Sequence, residues 1–191
     1  RHSKVCELLK IPKTEERLTC TFACYTYFEG LTLPHGFLRK QGRLSLAAVP
    51  TSHQKTMILI FGPGSFYESF KSDKENNFFK AMELVDPKLA AIVQQGKRCE
   101  PFRLTVDQAG FLREGESLGV ALTGDAANSK DQCTASGMTH ALRDAFLLSH
   151  EIGSHLNGKK TLSQALYDFR ERRYLDSFRF YEFTMQQAEM S

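Results

Sequence analysis

The stretch LGVALTGDAANSKDQCTASGMTHALRDA (118–145) gathers the residue types and spacing most suited to chemistry. Gly124-Asp125 stops an apolar run, Ala126-Ala127 follow with almost no side chain, and a helical pattern opens at Gly137. A buried, unpaired carboxylate costs several kcal/mol, so Asp125 must meet donors or water. Ligand hydroxyls, backbone N–H groups and a neighbouring cation can each serve. The small residues let a ligand approach the backbone, and the mouth formed by strand ends is where open sheets usually bind ligands. The free amides and dipole at a helix start favour negative charge by about 0.3–2 kcal/mol. The same spacing also fits an Asp that caps its own turn. Spacing alone leaves both readings open.

The rest of the chain offers few rivals. His2, His35, His53, His140, His150 and His155 suggest neither a metal site nor a nucleophile–base pair. His150 and His155 are five apart and do not share a helix face, and His140 reads as a helix-surface residue unless it approaches a ligand near Gly137. Cys6, Cys20, Cys24, Cys99 and Cys133 are scattered without zinc-ligand spacing, which fits reduced thiols in a cytoplasmic protein. GPGSF (62–66) follows a strand and precedes a helix, but it lacks the third glycine of a phosphate loop, and Pro63 removes an amide. It reads as a turn. A net charge of +3 gives little reason to expect nucleic acid; Arg170, Arg172 and Arg173 read as a solvated, ion-paired helix face. No apolar run approaches the ~18–20 residues of a membrane span, and RHSKVCELLK is not a signal peptide.

These residues need elements to position them. The 191 residues suit one core with an appendage. SKVCELLK (3–10) reads as a short helix ended by Pro12, and RLTCTFACYTYF (17–28) as one strand of β-branched and aromatic residues. GFLRK (36–40), RLSLAAVP (43–50) and KTMILIF (55–61) complete an antiparallel meander. Residues 62–98 read as helical with a fresh start at Pro87, Arg103–Val106 returns to the sheet, and LGVALT (118–123) reads as a buried strand. Two long helices close the chain, over 137–156 and from 162 to beyond 181. The first carries Met138, Ala141, Leu142, Ala145, Leu148, Ile152 and Leu156 as its apolar side; Leu162, Leu166, Phe169, Tyr174 and Phe178 serve the second.

GDAANSKDQCTASGMTHALRDA resembles the second FAD-binding motif of the flavoprotein aromatic hydroxylases, the para-hydroxybenzoate hydroxylase superfamily. Gly124, Asp125, Ala126, Ala127, Gly137 and Asp144 match that motif by position. KDQCTASG is similar to the KDPxTAxG loop of an actinobacterial branch of FAD-dependent oxidoreductases, although Gln132 replaces the usual proline and Asn128 a frequent histidine or aromatic. RHSKV (1–5) resembles the continuation of the superfamily's DGRxSxV motif, and LTCTFACYTYFEG the first strand of its substrate domain. The likeness runs end to end.

The resemblance implies an α+β fragment, in which an antiparallel substrate-domain sheet with helices precedes the final strand and long helices of a Rossmann-like FAD-binding domain. Residues 1–16 would be the motif tail and helix of the FAD-binding domain, 17–106 the substrate sheet with its helical insert, and 107–191 the C-terminal FAD-binding segment. It implies the C-terminal portion of a monooxygenase that uses FAD, with NADPH or NADH as reductant, to oxygenate a small hydrophobic or aromatic substrate. Its partner would be the missing N-terminal Rossmann part, since the chain contains no GxGxxG. Asp125 would hold the ribityl chain, with Gly124, Ala126, Ala127, Asp131, Gln132, Thr134, Ala135, Ser136, Gly137, Met138 and Arg1 around the cofactor. Tyr25, Tyr27 and Phe28 would line the substrate pocket. A halogenase or reductase of the same superfamily, or a non-catalytic truncated module that binds a ligand or partner, are the alternatives.

Overall fold

A computed structural model describes residues 1–18, 20–115 and 119–189. In chain order the elements are α1 (Lys4–Leu8), β1 (Thr14–Arg17), β2 (Thr21–Glu29), β3 (Phe37–Gln41), β4 (Leu44–Pro50), β5 (Lys55–Pro63), α2 (Tyr67–Ser72) and α3 (Lys74–Val85). There follow α4 (Pro87–Gln95), β6 (Lys97–Arg98), β7 (Arg103–Thr105), β8 (Gly110–Leu112), β9 (Asn128–Ser129), α5 (Gly137–Leu156) and α6 (Leu162–Glu189). They form two compact units: Cys20–Asp107, and Arg1–Thr19 together with Gln108–Met190. No helix among the described residues is long and apolar enough to cross a membrane.

The unit of residues 20–107 is a sheet in the order β3-β4-β5-β2-β6, with β7 also paired to β2. Alternation along β2 turns Phe22, Cys24 and Phe28 to one face, where they bury against Phe70, Phe78, Met82, Leu89 and Val93 of α2–α4. Each such side chain contributes on the order of 1.5–3 kcal/mol by leaving water. The carboxylates of Asp73 and Asp86 accept from the N–H groups of Asn76 and Leu89, starting α3 and α4, and Pro87 takes the first turn of α4. The second face of the sheet keeps Tyr25, Tyr27, Met57, Leu59 and Phe61 partly exposed.

Two expectations about the meander need correction. RLTCTFACYTYF is not one strand: β1 stops at Arg17 and bonds to β8, whereas β2 starts at Thr21 and bonds to β5. The meander holds for β3-β4-β5, but β2 joins β5 rather than β3. The nine paired positions from Thr21–Pro63 to Glu29–Lys55 bury β2 centrally, and β3, mostly exposed, is left as an edge.

In the other unit β1, β8 and β9 form a three-stranded sheet. Ser3 caps α1, and Cys6 and Ile11 pack with Leu122 and Ala127. Of the strand expected at 118–123, Leu118 lies outside the described residues. Thr123 is extended, but 120–123 joins no strand among the described residues; the Leu122 carbonyl accepts from the Arg173 guanidinium at 2.7 Å instead. The apolar side expected for α5 is also corrected. Met138, Leu142 and Leu156 are exposed, and the buried positions are His140, Asp144 and Glu151. Hydrogen bonds decide this facing: the Arg143 guanidinium donates to Ser177 Oγ at 2.5 Å, and Arg172 and Lys160 donate to Glu151.

Candidate functional site

The Gly-Asp pair forms a single 3-10 turn, Gly124–Ala126. Gly124 is buried at φ +55, and a Cβ there would stand 3.0 Å from the Cβ of Ala141 on α5. Only glycine suits that combination. Its N–H donates to Asp144 Oδ2 at 3.1 Å. Asp125 then points outward: its carboxylate is exposed and makes no hydrogen bond or ion pair among the described residues. It does not cap its turn.

The start of α5 lies beside that carboxylate. A Cβ built on Gly137 would be 3.9 Å from Asp125 Oδ1, so no side chain of residue 137 separates them. Gly137, Met138 and Thr139 are exposed, and Ser136 gives no side-chain cap. The first-turn amides of a long helix, with its positive dipole end, are therefore available beside a carboxylate acceptor. The arrangement suits a ligand that carries hydroxyls together with electron-rich or anionic atoms.

The charges behind the turn were not legible as a set. The Lys130 ammonium donates to Asn128 Oδ1 at 3.3 Å; burial pushes its pKa down, while the Asp125 and Asp144 charges oppose that shift. Asp144 is 1% exposed, and Arg143 is its nearest cation at 3.6 Å. His140 is buried at 8% exposure rather than lying on the helix surface, with its ring 4.8 Å from that of Phe180. Burial, then the charges of Lys130 and Arg143, lower its pKa to about 4, so it is neutral near pH 7. Its Nδ1 lies 3.2 Å from Arg143 Nη2. The spacing of His140 and Asp144, one helical turn apart, was the available signal.

The remaining expected residues divide. Ala126 presents its carbonyl to Arg113, and Ala127 is buried beside Cys6. Asp131 is buried and accepts from the Cys133 N–H at 2.9 Å, capping the turn Gln132–Thr134. Thr134 Oγ1 meets both Ser136 Oγ and Thr184 Oγ1 at 3.1 Å, and Ala135 takes φ +50 to lead into α5. Arg1 donates to the Ala109 carbonyl at 3.2 Å, and Arg113 Nη1 bridges the carbonyls of Arg1 and Ala126 at 3.2 and 3.4 Å. Arg113 thus ties the first residue to the Gly-Asp turn. Arg173, expected on a solvated face, is 5% exposed because its guanidinium serves the carbonyls of Leu122 and Arg113. Tyr25 and Tyr27 share the second sheet face with rings edge-on at 6.2 Å, while Phe28 lies in the core on the first face. Phe28 therefore does not join the two tyrosines.

Residues 80–178, just over half of the chain, match the family model described as squalene epoxidase. No curated protein matches the chain by sequence. Among solved structures, the myxobacterial chondrochloren halogenase CndH, a variant of FAD-dependent halogenases, is similar with a TM-score of 0.73 at 21% identity, over 91% of this chain and 42% of that one. PqsL of Pseudomonas aeruginosa, a probable FAD-dependent monooxygenase, gives 0.70 at 16% identity, over 97% and 53%. A flavoprotein/dehydrogenase of Cytophaga hutchinsonii gives 0.73 at 14%, over 95% and 45%. At these identities the likeness establishes the fold. The chain spans about half of each structure or less.

Proposed function

This chain belongs to the squalene epoxidase family, and from that membership we propose that it is the C-terminal portion of a flavin-dependent monooxygenase. The whole enzyme would use FAD, with NADPH or NADH as reductant, to oxygenate a small hydrophobic or aromatic molecule. An N-terminal Rossmann part of the same protein would supply the rest of the cofactor site.

One observation carries the reading: the exposed Asp125 carboxylate, without a partner among the described residues, beside the uncapped start of α5. These groups fit FAD. Asp125 would accept hydrogen bonds from the ribityl hydroxyls, each charge-assisted bond contributing about 1.5–3 kcal/mol. The amides of Gly137, Met138 and Thr139 would donate to polar atoms of the ring, where the helix dipole favours negative charge. FAD bound there would supply the redox chemistry by which electrons from the reductant reach dioxygen. The chain's own task is to hold, orient and electrostatically bias that cofactor. Tyr25 and Tyr27, with Met57, Leu59 and Phe61, offer an apolar, aromatic surface for the substrate.

The test is Asp125→Ala in the full-length protein. FAD affinity, read by flavin fluorescence, should fall about 10-fold or more, with far-ultraviolet circular dichroism unchanged. Unaltered affinity would remove the basis of the assignment. A requirement for chloride or bromide in turnover would redirect it towards halogenation.

A further inference from the structure

Resting on the FAD reading above, we propose that Asp144 is a positioning residue, whose buried carboxylate straps the Gly124-Asp125 turn to α5 and so sets where the Asp125 carboxylate stands. Asp125 is held by no hydrogen bond of its own among the described residues; its place is inherited from Gly124. Gly124 is gripped at two points by one side of α5. Asp144 Oδ2 accepts its N–H at 3.1 Å, and Ala141 lies so close that a Cβ on Gly124 would sit 3.0 Å from its methyl. Ala141 and Asp144 are i and i+3, neighbours on the helix surface. The same helix begins at Gly137, the residue facing Asp125. One rigid element thus fixes both the acceptor and the amides, over about 10 Å of helix.

The condition of Asp144 argues against simple filling of a core. It is 1% exposed, yet Oδ1 has no hydrogen-bond partner and the nearest guanidinium nitrogen is 3.6 Å away. A buried carboxylate satisfied on one oxygen is costly, and an apolar residue of similar size would pack at less expense. Nor does the family resemblance assign this residue more than a matching position. What the carboxylate does supply is an acceptor for the one amide that orients the turn. The Lys130 ammonium, sensing both Asp125 and Asp144, offsets the two negative charges that the strap brings near each other.

A double-mutant cycle on the full-length protein tests this, with FAD removed and titrated back by flavin fluorescence. Asp125→Ala is expected to weaken FAD binding about 10-fold or more, and Asp144→Ala about 5-fold. On the Asp125→Ala background, Asp144→Ala should change the affinity less than about 2-fold, because a residue acting through Asp125 has nothing left to position. Asp144→Asn keeps an oxygen for the Gly124 amide and should recover most of the loss seen with alanine. If Asp144→Ala does not fold, Gly124→Ala takes its place in the cycle by driving a methyl against Ala141. Additive losses overturn the proposal while leaving Asp125 as a flavin ligand. Unchanged binding in Asp125→Ala alone overturns the FAD reading and this inference with it.

Discussion

The unit of residues 20–107 and the remainder of the chain bury different chemistry under helices of similar appearance. In α3 and α4 the buried positions are Phe78, Ala81, Met82, Leu89, Ala90 and Val93. In α5 they are His140, Asp144 and Glu151. Apolar burial has no direction, so the first unit gains stability from any arrangement that excludes water. Hydrogen bonds have direction: Asp144 fixes one amide, and Glu151 receives Lys160 at 2.5 Å and Arg172 at 3.0 Å where α5 and α6 meet. The Lys160 hydrogen bond, outweighing burial, holds the Glu151 pKa below the usual carboxylate range. The unit carrying a free carboxylate and open helix amides is the one built on directional contacts. Stability and placement are assigned to different parts of the chain.

The largest effect should come from emptying the apolar side. Phe22 is fully buried, with its ring 4.6 Å from that of Phe70. Phe22→Ala is expected to lower stability by about 3–5 kcal/mol, the transfer and cavity cost of a core phenylalanine. Urea unfolding measures it. A loss below about 1 kcal/mol would break the contrast, because this sheet would then owe little to its aromatic core.

A smaller effect, specific to the polar side, follows from His140. Its pKa is about 4 when folded, against an ordinary value of 6.5, so the unfolded chain takes up the proton first as pH falls. The stability gained by keeping the ring neutral is fully present above about pH 6.5 and is lost as pH falls towards 4, on the order of 3 kcal/mol. His140→Asn should flatten that part of the pH–stability curve, and the His140 ring resonances should hold constant from pH 8 to 5. A midpoint near 6.5 for that ring would mean that the pocket behind the Gly-Asp turn is solvated.

Much of the fold is legible because local signals agree with it. Pro12, Pro87, the Gly137 helix start and the alternation of β4 and β5 each mark an element that forms. Strands β6, β8 and β9, of two or three residues each, are too short to show a period. The facing of α5 is misread for a different reason. Met138, Leu142 and Leu156 make a convincing apolar stripe, but the contacts that orient the helix are charge-assisted hydrogen bonds to residues beyond its end, at Ser177, Lys160 and Arg172. The candidate site shows the same limit. Gly124, Asp125 and Gly137 can be read from one loop, whereas the bond from Gly124 to Asp144 needs the helix folded back on the turn.

The smallest predicted effect isolates that fold-back. Gly42 and Gly124 share nearly the same positive φ, +58 and +55, in the two different units. A Cβ at Gly42 would meet nothing within 4 Å, whereas one at Gly124 would stand 3.0 Å from Ala141. Gly42→Ala therefore carries only the left-handed penalty, about 1 kcal/mol. Gly124→Ala carries that penalty and must also push the turn off α5, stretching the Asp144 bond, for a further loss of about 1 kcal/mol, the low end of an overpacking cost. The gap between the two substitutions in urea unfolding measures the grip of α5 on the Gly-Asp turn, with the positive-φ penalty common to both. Equal losses would mean that the turn moves freely on the helix, and the distinction between a unit built for burial and a unit built for placement would fail where it matters most.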